Sequence, residues 1–206
     1  MKLILGTITV FFLALSAPHA RAEGLLPAYF DVTGVRADDV LNLRRGPDAR
    51  TPIVDTLPPD ATGVVVVARS DDGKWGMVRY NEGTAWASLR FLQRAPGQGD
   101  EQLPHILACG GNEPFWGLSL SLGNAVFDEP GGAKITLQQV WEGSAAGMQP
   151  HDFGVRLQNE TAQIHAVISR GQCSDGMSDM TYGFSIRAIL SGSLGKRMLA
   201  GCCALP

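Results

Sequence analysis

Turn-forming residues recur so often from residue 41 onward that short strands are the regular element the chain supports, and in its C-terminal half no stretch of ten or more residues keeps a helical period. The clearest run is Leu41-Asn42-Leu43-Arg44-Arg45-Gly46-Pro47, which alternates apolar and polar residues and stops at a Gly-Pro turn. Ile53, Val54 and Leu57 mark a second strand before Pro58-Pro59-Asp60, and Gly63-Val64-Val65-Val66-Val67-Ala68 is a β-branched third. Trp75-Gly76-Met77-Val78-Arg79-Tyr80 and Ala85-Trp86-Ala87 flank the turn Asn81-Glu82-Gly83. Five short strands with turns about every ten residues predict a small all-β barrel.

These residues resemble the bacterial SH3-like (SH3b) family over residues 31–94. Its opening, Leu-Asn-aliphatic-Arg-x-Gly-Pro, is carried by Leu41, Asn42, Leu43, Arg44, Gly46 and Pro47. The Leu-Pro turn stands at Leu57-Pro58, the Trp strand begins at Trp75, and the late Trp86 follows Ala85 where the family usually has Gly. The resemblance implies a module that binds cell-wall peptides or tethers a partner, rather than a catalyst. Trp75, Tyr80 and Trp86 are then the candidate ligand-binding aromatics, because Trp and Tyr offer large contact area with a polar handle. The competing role for Trp75 and Trp86 is partial burial in a small core. Arg44 is the candidate partner for the carboxylates of a stem peptide, with Arg45 beside it.

Residues 1–22 have the pattern of a signal peptide: Lys2, an apolar run over 3–17, and Ala20-Arg21-Ala22 as a small-x-small cleavage site. The run is shorter than the ~20 residues a membrane span requires. The expectation is a periplasmic or secreted mature chain with no transmembrane span. The chain carries 17 basic and 20 acidic residues, and cleavage would remove Lys2 and Arg21. An acidic chain of this kind argues against nucleic acid as a partner, since phosphate neutralisation needs a basic surface.

Residues 95–104 are polar and Gly-rich and are predicted to be a linker. Beyond them, 105–206 shows further strand-like runs around Trp116-Gly117-Leu118-Ser119-Leu120, 135–141, 153–157, 164–168, 182–187 and 198–203. These predict a second domain, an antiparallel β barrel or sandwich. All four cysteines, Cys109, Cys173, Cys202 and Cys203, lie in it, and in an exported chain an even number predicts disulfides. Adjacent cysteines on a strand point to opposite faces, so Cys202 and Cys203 should take different partners. Cys173–Cys202 with Cys109–Cys203 is favoured slightly over the swapped pairing.

Three strings in this half, Glu113-Pro114-Phe115-Trp116, Cys173-Ser174-Asp175-Gly176-Met177-Ser178-Asp179 and Gly201-Cys202, resemble an uncharacterised family of bacterial envelope proteins over about residues 105–204. That resemblance implies an envelope location and no particular activity. Glu113 and Trp116 are candidate ligand contacts, against the plainer role of a strand entry with one core aromatic. Asp175 and Asp179 are candidates for an acid–base pair, which would need both carboxyls across one cleft; the plainer role is a polar turn pinned by a disulfide.

No metal or cofactor is expected. Zinc sites use close ligand pairs such as C-x-x-C, and the 173–179 string lacks the EF-hand pattern. Glu142-Gly143-Ser144-Ala145-Ala146 ends in the wrong residue for a serine-nucleophile elbow, and His105, His151 and His165 receive no catalytic role. The expected function is that of an exported non-catalytic binding protein for peptidoglycan or an envelope protein. The alternatives are a wall hydrolase using Glu113, Asp175 or Asp179, and an inhibitor that inserts the 173–179 loop into an envelope enzyme.

Overall fold

The computed structural model describes residues 24–81, 83–147 and 151–206, so the targeting segment expected at 1–22 lies outside the described residues. The fold class is all-β, as expected. The N-terminal unit is an antiparallel sheet of β1 (Ala28–Val32), β2 (Leu41–Arg44), β3 (Ile53–Leu57), β4 (Val64–Arg69), β5 (Trp75–Tyr80), β6 (Gly83–Ser88) and β7 (Leu92–Arg94). Their order is β3-β2-β6-β5-β4-β1-β7. The two strands beyond the expected five pair with each other, Val32 opposite Leu92, and carry the unit's start back to Ala28, before residue 31. Alternation places Ala28, Phe30, Leu41, Leu43, Val66, Val78, Ala85 and Ala87 in one apolar core, as period-two side-chain direction requires.

The C-terminal unit is β8 (Ile106–Asn112), β9 (Phe115–Ser121), β10 (Asn124–Asp128), β11 (Ile135–Ser144), β12 (Asp152–Gln158), β13 (Ala162–Ser174), β14 (Thr181–Gly192) and β15 (Arg197–Ala204). Each pairs antiparallel with the next, and β15 returns to β8, so the sheet closes into an eight-stranded barrel, the barrel rather than the sandwich. Two strands escaped the sequence reading: β8 runs into Gly110-Gly111, and β10 has only five residues between turns. Leu118, Leu137, Phe153, Leu157, Ile164, Ile168, Phe184, Ile186 and Leu190 fill the interior. An eight-stranded barrel is narrow enough for side chains to do this.

Closure rests on three register pairs, Cys202 with Gly110, Cys203 with Cys109 and Ala204 with Ala108. A disulfide joins Cys109 to Cys203 across the middle pair. The second bridge joins Cys173 to Cys202, where a bulge between Arg170 and Cys173 bends β13. The favoured pairing is the one present: Cys203 lies inside the barrel, and Cys202, on the other face of β15, ties down the end of the β13–β14 hairpin.

Residues 95–104 are a packed strap instead of a free linker. The Gln98 side chain accepts from the Tyr29 amide (2.7 Å) and donates to the Tyr29 carbonyl (2.8 Å). Asp100 pairs with Arg94 at 2.6 Å and accepts from the Leu25 amide, and Leu103 is buried in the barrel core. Polar composition suggested flexibility, but Gln98 and Asp100 are both held by protein partners. Val65, Val67 and Ala68 of β4 join the same core from the N-terminal sheet. The Arg170 guanidinium stands 5.3 Å from the Phe153 ring and 5.4 Å from that of Phe184. It points at the carbonyls of Pro27, Asp100 and Gln102. One arginine thus ties the barrel mouth to both the strap and the N-terminal segment.

The two bridges close loops of different length, with 94 and 29 residues of separation. Loop entropy therefore predicts that C109S/C203S costs about 4–5 kcal/mol and C173S/C202S about 3–4 kcal/mol. Urea unfolding of the two double variants checks both the size and the order of the losses.

Candidate functional site

Alternation on β2, β5 and β6 sends one set of side chains inward and the other out. Leu41 and Leu43, Gly76 and Val78, and Ala85 and Ala87 face the core, leaving Asn42, Arg44, Trp75, Met77, Trp86 and Ser88 on the opposite face. Register then makes two rows: Arg44 stands opposite Trp86, which stands opposite Met77, and Trp75 stands opposite Ser88. Three of the expected ligand residues, Arg44, Trp75 and Trp86, thus share one face.

Arg44 and Trp75 line a cleft of about 470 Å³ together with Arg36, Asn42, Arg90 and Phe91. Arg44 is held in place by donating from Nη1 to the Thr51 carbonyl at 2.7 Å, which leaves its charge without a carboxylate. Nearby Asp48 is engaged by Arg50 at 2.6 Å, and that hydrogen bond lowers the Asp48 carboxyl to about 2. The Arg90 guanidinium sits 5.5 Å over the Phe91 ring. Among the described residues, neither Arg44 nor Arg90 forms an ion pair. Ser88 and Arg90 also border a second cleft, of about 570 Å³, whose wall holds Arg69, Lys74 and Arg94. Arg36 is paired with Asp38, Lys74 with Asp72 and Arg94 with Asp100, and Asp39 also borders the Trp75 cleft, so the uncompensated charge beside the indole is that of Arg44 and Arg90. Arg36, Arg90 and Phe91 went unrecognised in the sequence because they lie in connecting segments, where no periodicity assigns a face.

The other aromatic candidates are placed differently. Tyr80 packs against the N-terminal core and its hydroxyl donates to the Val54 carbonyl at 3.0 Å. Trp86 is half-buried in the row beside Met77, which packs against the barrel core, and it does not border the cleft around Trp75.

The envelope motifs meet at the other unit. A cleft of about 510 Å³ is bordered by Asn112, Phe115, Trp116, Asp128, Glu129, Asp175 and Tyr182. Trp116 is only 6% exposed and stacks on Phe127 at 6.3 Å, so it is a core aromatic with one edge at the cleft. Its Nε1 has no hydrogen-bond partner among the described residues. Glu113 is exposed at the β8–β9 turn and does not border the cleft. Asp179 lies beside Gly83 of the N-terminal sheet. The acids that join Asp175 are instead Asp128 and Glu129, with Glu129 paired to Arg197.

Asp175 organises its loop. Its carboxylate accepts from the amides of Ser178 (2.9 Å) and Met177 (3.0 Å), from the Ser178 hydroxyl and from the Tyr182 phenol (3.0 Å). The Ser178 and Met177 amides hold it far below the usual carboxylate range. Burial, and then Asp175 itself, push the Tyr182 phenol up. A general acid requires the opposite shift, toward the protonated form. Glu113, Asp175 and Asp179 are thus not gathered into one cleft.

No protein-family model, curated protein or solved structure matches the chain.

Because the bonds of Asp175 belong to its ionised form, the loop's order is fully present above the ordinary carboxylate pKa of about 3.9. It is lost only as pH falls through the much lower folded-state value. Asp175→Ala should accelerate amide exchange at Met177 and Ser178 about tenfold relative to their intrinsic rates. It should also bring the Tyr182 phenol down toward its ordinary value while burial keeps it above. NMR-detected exchange and phenol titration check both.

Proposed function

We propose that the chain is an exported, non-catalytic binding protein of the cell envelope. Its N-terminal unit, an SH3b-type module, would engage carboxylate-bearing peptides such as the stem peptides of peptidoglycan. The observation that carries this reading is the cleft in which Trp75 is flanked by Arg44 and Arg90, neither of them ion-paired among the described residues, while Arg36 at its border is held by Asp38. An extended peptide lays apolar atoms on the indole while its carboxylates meet guanidinium groups, whose planar donors suit carboxylates. Arg44, already oriented by Thr51, meets such a ligand with little further ordering, which favours affinity. Two disulfides suit an oxidising compartment, in keeping with periplasmic or secreted placement.

A protein partner at the 173–179 loop is the second reading. Met177 is 67% exposed on a segment held by Asp175 and anchored by the Cys173–Cys202 bridge. A rigid loop presenting an apolar tip suits insertion into another protein, because little entropy remains to be lost.

Sedimentation with purified peptidoglycan, alongside titration with isolated stem peptide, tests the first reading. Arg90→Ala and Trp75→Ala should each weaken stem-peptide binding about tenfold, the size of one charge-assisted bond. Binding should also fall as salt is raised, since the cleft is exposed. Peptide binding that ignores both substitutions and salt would reject the cleft and move attention to the 173–179 loop.

A further inference from the structure

The outer wall of the barrel carries an aromatic site that neither the basic cleft nor the envelope motifs use. A bulge between Gln139 and Trp141 interrupts β11, and Trp141 then stands opposite Arg156 of β12. Arg156 in turn stands opposite His165 of β13. Two residues further along the same face, Gly143 and Gly154 pair across β11 and β12. The indole lies over that glycine pair. A Cβ at Gly143 would fall 2.8 Å from Cζ2 of the ring, and one at Gly154 would fall 2.7 Å from Cζ3. Paired glycines inside strands weaken a sheet and mark a close approach; here the approaching group is the indole. One ring face rests on backbone, yet Trp141 remains 54% exposed.

An indole held in this way has a fixed orientation and an open, electron-rich face. The complementary group has polarised C–H bonds on a flat face and hydroxyls around its rim, which describes a pyranose ring. Arg156 and His165 stand at the rim of the indole and, with Trp141 and Gly154, border a depression of about 330 Å³. Neither has an ion pair or a side-chain hydrogen bond among the described residues, so both can serve hydroxyl groups. Val167, 49% exposed, stands opposite Gly154 beside the indole, and Ile189 and Met198 are exposed further around the wall, where His165 stands between Arg156 and Ile189 in the row. The indole is thus bordered by two hydrogen-bonding side chains, Arg156 and His165, and by one apolar one, Val167, a mixture that suits the hydroxyls and C–H face of a sugar.

We propose that Trp141 is a stacking platform for a pyranose ring of a glycan, with Arg156 and His165 reading the ring's hydroxyls. This site is separate from the peptide cleft and stands or falls independently of it.

The test titrates the folded chain with N-acetylglucosamine tetramer and with cellotetraose, following the Trp141 indole N–H by NMR, assigned through W141F. Saturable shifts of Trp141, Arg156 and His165 are expected with at least one of the two, and the comparison identifies whether the acetamido group is required. W141A should weaken that binding roughly fivefold or more, the worth of one aromatic contact. G154A should weaken it similarly while keeping the indole, because the new Cβ displaces the ring. W141A alters an exposed residue and carries the test if G154A lowers stability. W75A should leave oligosaccharide binding unchanged, which separates this site from the cleft. No Trp141 shift with either sugar at about 10 mM, weaker than any useful affinity, would overturn the proposal. Shifts insensitive to W141A would do the same. Trp141 signals that broaden with protein concentration and ignore sugar would reassign the wall to protein contact and also overturn it.

Discussion

The seam between β15 and β8 is the constraint on which the rest of the molecule depends. Seven of the eight barrel pairings join strands that follow one another in the chain, so short turns set their register. The eighth joins strands from opposite ends of the unit through only three register pairs. Closing so long a loop carries an entropic cost that three ladder positions offset poorly. The Cys109–Cys203 bridge lies in the middle of those positions and lowers that cost by restricting the unfolded chain. Once closed, the barrel has no unpaired edge of the kind that invites aggregation.

The closed barrel also decides where the N-terminal sheet sits. Its mouth would leave Phe153 and Phe184 open, and it is covered by Arg170, by the 95–104 strap and by the outward side chains of β4. Desolvation pushes the Arg170 guanidinium down from its ordinary value, with neighbouring Asp100 opposing that effect. Arginine tolerates such a place because it stays charged throughout. With β4 and Met77 turned against the barrel, the Trp75 end of that face lies beyond the contact and carries the cleft with Arg44 and Arg90. The Trp75 cleft, the cleft bordered by Asp175 and the depression beside Trp141 have no lining residue in common.

Much of this was legible in the chain. The alternation of Leu41 to Arg44 was legible and Arg44, Trp75 and Trp86 were read as ligand candidates, but that they share one face came from strand register. The opposite directions of neighbouring strand residues separated Cys202 from Cys203 and left two pairings, of which the slightly favoured one is found. Other features were not legible. Tyr80 looked like a surface aromatic, although its hydroxyl reaches the Val54 carbonyl across the fold. Asp175 and Asp179 looked like a pair, yet one binds its own loop and the other lies beside Gly83. Trp141 looked like one more strand residue, since the glycine beneath it on β12 lies across the sheet, beyond the reach of local pattern.

The sequence by itself determined the all-β class, the division into two units and the chemistry of the cysteines, because strand period, turn residues and thiol spacing are local properties. Tertiary structure alone decided that the barrel closes, that the polar strap is fixed and that Arg36 and Arg90 join Trp75. It alone decided that Asp175 is a structural anion. Each of these depends on groups far apart in the chain being brought within a few ångströms, and a distance of that kind has no period for a sequence to display.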